Sequence, residues 1–529
     1  MRSRAFKAVL LATVLGGAIL PSVSFAETFR WASTTDPQTM DPHAVNAAPV
    51  TSFLNNVYEG LVRRDKSMKI EPSLAESWEP LTGESEVGWR FHLRQDVTFQ
   101  NGAAFDADDV LFSYERASSE QSDVRSWFAP VSSVRVVDPH TIDFLTTAPN
   151  PLFPDSIANF MILDRDWAVE NGAERPARDS ENFATRNTNG TGPFSLAGRD
   201  PGVETRLVPN PDWWGAVEHN ITEAVFTPIG NPATGLAALL SGEIDMISPV
   251  PLQDAAQVEG RDGFKILEGL ETRVIVLGFG HKKDALSYGT AAKEGNPFQS
   301  KAVREAVWRA IDIDTIDRVI MRGKAEPVSQ LLPPGLSGYS QAAHERLSFD
   351  EGKARALLAE AGYPEGFSFG LMCTNDRYIN DEAVCRAMAS MLARVGLNAE
   401  VTAMPVRNYW DELRAGNYDM YLLGWSPGTF DAEHPIRFLA ATPNEEKLLG
   451  SWNFGGYSSA RVDELLPLIQ QELDPAVRQG MLDEVAQVLQ DDVAYVPLYT
   501  EPLIWATKEN IDLTQRPDNF FMLRWVKVN

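Results

Sequence analysis

Between residues 367 and 428 the spacing of apolar residues switches repeatedly, and this alternation constrains the fold more than any other stretch. Phe367, Phe369, Leu371 and Cys373 alternate with other residues, as on one face of a strand. A polar run at 374–380 follows. Asn380 or Asp381 is then placed to cap a helix whose apolar stripe is Val384, Met388, Met391, Leu392 and Val395, closed by Gly396. Residues 398–404 read as a second strand, 407–415 as a second helix and 419–425 as a third, apolar strand. A β-α-β-α-β run implies neighbouring parallel strands joined by right-handed crossovers, hence an α/β fold. Ligands of open α/β sheets bind beyond the carboxyl ends of the strands. The loops at 374–380 and 426–433 both leave strands at that end, so they are expected to share one crevice.

The rest of the chain is consistent with a larger body of this class. At 529 residues it is long enough for two or three lobes. Trp89, Phe91 and Leu93 alternate with Arg90 and His92 as in a half-buried strand, and Asn101-Gly102 marks a turn. Residues 106–116 read as a helix with Val110, Leu111 and Tyr114 on one side. Val303, Ala306, Val307, Ala310 and Ile311 have the spacing of a buried helix face. The 73 acidic residues outnumber the 47 lysines and arginines, for a net charge of −26. Such a surface repels phosphate backbones and anionic lipid, which argues against nucleic acid or a membrane surface as partner.

Arg2, Arg4 and Lys7 precede an apolar run from Ala8 to Leu20, and Ser24-Phe25-Ala26 has small residues at the positions of a cleavage site. Residues 1–26 are therefore expected to be a removed export signal, too short to span a bilayer comfortably. In an oxidising compartment, Cys373 and Cys385, 12 positions apart, read as one disulfide; two buried free thiols are the alternative. The seven histidines show no ligand spacing near the thiols or near each other, so neither a metal nor a cofactor is expected.

An ordered series of short stretches carries a family resemblance. It includes Asp41-Pro42, Tyr58-Glu-Gly-Leu, Pro72-Ser-Leu-Ala-Glu-Ser-Trp, Trp89-Arg-Phe-His-Leu-Arg, Asn101-Gly102, Gly190-Thr-Gly-Pro-Phe, Gly242-Glu-Ile-Asp, Gly424-Trp425 and Gly456-Tyr457-Ser458. Over essentially the whole mature chain the sequence resembles the periplasmic solute-binding proteins of the peptide-binding family of ABC transporters. The resemblance implies a two-lobed fold with a cleft between the lobes, a two-strand hinge and an extra subdomain in the larger lobe. Lobe one is expected at 27–278 plus 498–529 and lobe two at 279–497. It further implies a periplasmic monomer that captures a small peptide-like solute, hands it to permease subunits in the inner membrane and performs no catalysis.

By its place after the first strand, Arg377 matches the arginine that receives the ligand carboxylate in dipeptide receptors, and a guanidinium suits that task. In those receptors the Gly-Trp pair is followed by an aspartate that holds the ligand's amino group. Here Gly428 stands in its place, with Asp431 or Glu433 as candidate substitutes further along the loop. This departure leaves open a peptide bound differently, an opine, a sugar-like ligand or a metal chelate. Trp425 can stack on ligand atoms or pack as a core aromatic. Thr35, Asp36 and Thr39 occupy a cleft-lining position of the family, and Gly190, Thr191 and Gly192 either bring backbone close to a bound chain or form a tight turn. A secreted enzyme such as a glycoside hydrolase is the main rival. The sequence lacks a Gly-x-Ser-x-Gly elbow, a His-Glu-x-x-His pair and a phosphate-cradling glycine loop.

Overall fold

The computed structural model describes residues 27–83, 86–178, 180–444 and 449–529; the expected export signal lies outside them. An eleven-stranded mixed sheet organises the molecule. Its path runs Leu397–Met404, Phe367–Thr374, Met420–Trp425, Phe264–Phe279, Val496–Lys508, Met246–Ser248, Thr28–Ser33, Glu223–Pro228, Glu204–Pro209 and Phe194–Asp200, with Glu326–Pro327 pairing Val496–Lys508 off the path.

The β-α-β-α-β run forms as its periodicity requires. Strand Phe367–Thr374 lies between Leu397–Met404 and Met420–Trp425 and is parallel to both. Helices Asp381–Ala393 and Val406–Ala415 make the crossovers. Val384, Met388, Met391, Leu392 and Val395 are all buried, because the helix turns this one stripe onto the sheet. Cys373 at the end of the strand is bonded to Cys385 on the helix, closing the expected disulfide across this unit. Helix Lys301–Ala310 likewise buries Val303, Ala306, Val307 and Ala310. Helix Ala107–Ala117 starts with a capping box between Asp106 and Asp109.

Two long antiparallel strands in mid-sheet, Phe264–Phe279 and Val496–Lys508, connect two apolar cores. Ile275 and Leu277 pack with Val496, Leu498 and Tyr499 in a core around Trp308, Phe367 and Phe369. Further along, Leu503 and Trp505 belong to a core with Phe29, Trp31 and Phe226. All of Val496–Lys508 except Lys508 is buried, as befits a central strand covered on both faces. A third core around Phe91, Phe144 and Phe153 sits on a separate four-stranded sheet, Ala75–Thr82, Val87–Leu93, Thr141–Thr146 and Val131–Asp138. This is an additional body attached to the half that begins at Thr28.

The ladder between the two long strands shifts register twice, between Leu270 and Val274 and again between Ile275 and Val276, and the first shift is the wider. Leu270 pairs with Pro502 and Val274 with Thr500, so residues 271–273 stand opposite Glu501 alone. A bulge of this kind bends the strand and re-aims its side chains.

Candidate functional site

A cavity of about 740 Å³ opens where the bodies meet. The additional body contributes Ser126, Trp127, Thr147, Asn150, Asp155 and Asn159 to one wall, and the loop after Met420–Trp425 contributes residues 426–430 to the other. Glu271, Thr272 and Arg273 reach it from the interrupted ladder. Thr272 Oγ1 lies 2.7 Å from Ser426 Oγ, tying that loop to the long strand.

The second wall continues through a helical turn, Glu433–Pro435, which passes into a π-helical turn, Ile436–Ala440. Glu433 and Arg437 are four residues apart and form an ion pair with Nε 3.0 Å from Oε1, although the approach is off the line a hydrogen bond needs. His434 and Phe438 repeat the spacing, with ring centroids 4.7 Å apart. All four line the cavity. Gln470 Nε2 donates to the same Glu433 oxygen at 2.7 Å.

Trp425 Nε1 donates to His434 Nδ1 at 3.2 Å, so the ring's proton resides on Nε2. Burial, reinforced by the Arg437 charge, pushes the His434 pKa down to about 3, and the ring is neutral at physiological pH. A Cβ at position 428 would come within 3.2 Å of His434 Nε2. Gly428 therefore leaves room for this N–H edge on the cavity wall.

Arg64, on strand Val62–Arg64, joins the two walls. Its Nη2 donates to Asp155 Oδ1 and to the Thr429 carbonyl, both at 3.1 Å, and its guanidinium lies 4.4 Å from the centre of the Phe430 ring. Phe430 holds a positive φ of 56°, an uncommon conformation for a bulky residue and a sign that the surrounding contacts fix the loop. At the interrupted ladder, Arg273 donates to both oxygens of Glu271 at 3.3 and 3.2 Å, and its Nε lies 3.2 Å from Glu501 Oε2. Burial pushes the Glu501 pKa up to about 7 despite Arg273.

The structure separates the expected site residues. Gly428 lines the cavity, and so does Glu433, the alternative acidic substitute. Trp425 stands behind the wall, packed against His434, Phe438 and Trp452. Asp431 is buried in a two-pronged pair with Arg478, at 2.7 and 2.9 Å, and accepts from Ser337 Oγ at 2.6 Å. Its charge is committed to the scaffold and it does not line the cavity.

The loop at 374–380 does not share the crevice with 426–433. The Asp381 carboxylate gathers Thr374 Oγ1 and the N–H groups of Arg377 and Tyr378, curling the loop back on its helix. Tyr378 tucks in beside Gly424, and the Arg377 side chain is exposed and outside the cavity lining. Asp36 is held by Arg199 at 3.0 and 3.2 Å, Thr39 caps the N–H of Asp41, and Thr35 is exposed; none lines the cavity. Gly190 and Gly192 serve a close approach of the chain to itself, since a Cβ on either would strike the Val57 backbone. Thr191 donates to the buried Glu59, which also receives Trp213 and Trp214.

Sequence reasoning missed Arg64, Asp155, Arg273, His434 and Arg437. The only local signal was the doubled i, i+4 spacing of Glu433/Arg437 and His434/Phe438, which marks a helical turn presenting two charged and two aromatic side chains. Among the described residues, no group of three His, Cys, Asp or Glu side chains is placed to hold a metal, and no helix is long and apolar enough to cross a membrane.

Comparison with known proteins agrees with this architecture. A glutathione-binding protein, GsiB, of Shigella boydii serotype 4 is 25% identical over 512 residues, spanning 95% of this chain and 94% of that protein. The structure of HbpA2 from Haemophilus parasuis superposes with a TM-score of 0.80 at 21% identity, covering 95% of this chain and all of that one. The ABC transporter-associated periplasmic binding protein DppA from Helicobacter pylori, in complex with a peptide, gives 0.71 at 22% identity over 96% of this chain and 98% of that one. These neighbours share the two-lobed periplasmic binding protein fold. Residues 69–446 match the family described as bacterial extracellular solute-binding proteins, family 5 Middle, and the chain belongs to that family.

Proposed function

We propose that this chain is the solute-binding component of an ABC importer that captures a small peptide-like solute in the 740 Å³ cavity and delivers it, unchanged, to a membrane permease. In this reading lobe one comprises 27–278 with 498–529, lobe two comprises 279–497, and the protein acts as a periplasmic monomer. The observation that carries it is the position of the cavity. It lies between the additional body and the loop after Met420–Trp425, and its lining includes residues 271–273 at the wider break in the ladder of the two long strands. A solute bridging both walls stabilises the closed arrangement by contacts that the open one lacks. Relatives named for glutathione and peptide binding support the solute class. The proposed contacts are Arg437, His434, Glu433 and Gly428 on one wall, Asp155 and Trp127 on the other, and Arg273 from the long strand.

A polyhydroxylated or opine-like solute is the second reading. It is favoured by the neutral hydroxyl and amide groups of the first wall, Ser126, Thr147, Asn150 and Asn159. Native mass spectrometry of the purified protein for a co-purified small molecule, followed by calorimetry, separates the two. Recovery of chemically altered solute after incubation would refute binding without chemistry.

A further inference from the structure

The charged side chains around the cavity form couples in which each acid already has an arginine. Asp155 has Arg64 at 3.1 Å, Glu271 and the buried Glu501 share Arg273 at 3.2 Å each, Glu433 has Arg437 at 3.0 Å, and Asp518 has Arg516 at 3.1 Å. Asp431, the remaining acid of the loop, is spent on Arg478. Gly428 adds no carboxylate, and His434 sits where one would have to be accommodated.

The guanidinium donors are not spent to the same degree. An arginine carries five N–H groups, and a single carboxylate satisfies two at most. Arg437 meets Glu433 through Nε alone, and its two terminal nitrogens find no acceptor among the described residues. Arg273 uses Nε and Nη2, which leaves Nη1. Beside Arg437 the cavity thus offers guanidinium donors that Glu433 does not occupy. A carboxylate entering beside Arg437 gains charge-assisted, two-pronged bonds. An ammonium entering the same space meets only acids that arginines already neutralise, and its desolvation goes uncompensated.

We infer that the solute is anchored by an anionic group at Arg437 and needs no free amino group, so that amine-blocked or amine-free acids bind as well as unmodified ones. This deepens the solute-binding reading and rests on it. It also moves the anion anchor from Arg377 to the helical turn after Gly428.

The test uses the full mature protein and calorimetry with one mixed dipeptide library in three forms: unmodified, N-acetylated and C-amidated. N-acetylation is expected to change affinity by less than threefold, and C-amidation to weaken it tenfold or more. Arg437→Gln should erase the difference between free and amidated forms, and the comparison on the unsubstituted protein stands even if that variant folds poorly. A tenfold loss on N-acetylation overturns this inference alone. Absence of heat from all three libraries overturns the peptide-like reading, and the inference falls with it.

Discussion

Replacing Asp431 distinguishes a scaffold residue from a ligand anchor. Its carboxylate is 1% exposed and takes both terminal nitrogens of Arg478, itself 9% exposed, along with Ser337 Oγ and the Glu433 N–H. Asp431→Ala would leave a buried guanidinium without its counter-charge, and two further donors without an acceptor. Breaking a buried pair from one side costs ~3–5 kcal/mol, most of it the penalty on the abandoned partner. Substituting both members, Asp431→Leu with Arg478→Met, should recover most of that loss, because no unpaired charge remains. Urea unfolding followed by tryptophan fluorescence measures this as a fall in the midpoint at unchanged slope. Calorimetry with the same solute on the same preparations supplies the contrast. A stability loss below about 1 kcal/mol combined with lost affinity would refute the argument and return Asp431 to the binding site.

Other outcomes follow from the same geometry. Burial raises the Glu501 pKa from about 4.3 to about 7. As pH rises across that window the unfolded chain releases its proton first, so this group's contribution to stability falls and levels off above pH 7. Glu501→Gln should remove that decline, and parallel urea midpoints for the two proteins between pH 4.5 and 8 would contradict it. Reduction of the Cys373–Cys385 bond, which closes a 12-residue separation, should lower stability by about 3 kcal/mol; equal urea midpoints with and without reductant would exclude this. Arg64→Met removes the link from Asp155 to the Thr429 carbonyl and should weaken solute binding by about tenfold, or roughly 1.4 kcal/mol, mainly through faster release in stopped-flow traces. Gly428→Asp should make unmodified peptides bind about tenfold better than acetylated ones, a gain of ~1.4 kcal/mol; equal affinities for the two forms would count against the cavity wall assigned to position 428.

The sequence made the frame readable because periodic burial is a local signal. The stripe Val384 to Val395 needs only a helix and a sheet to lie on, and the alternation at 367–373 needs only a face to bury. The site depended on pairings the chain does not announce. Asp431 and Arg478 are 47 positions apart, so nothing in the loop sequence reveals that the most suggestive acid is already taken. Arg377 was misleading for a related reason. Its position after the strand suits a ligand contact, but the nearby Asp381 collects the loop's own N–H groups and turns it away from the cavity. The sequence left Gly190–Gly192 open between an approach to a bound chain and a tight turn, and the backbone these glycines lie against is Val57 of the same chain.

If the solute occupies the cavity as proposed, the break in pairing at 271–273 places the joint and the captive molecule at one address. Regular strands resist bending because each carbonyl is tethered to its neighbour, whereas a stretch with three residues facing one is the natural elbow. Whatever fills the chamber presses on that elbow through Glu271, Thr272 and Arg273 themselves. On that reading occupancy and flexure share the same three residues, and no relay through the interior is needed to report that the trap is full.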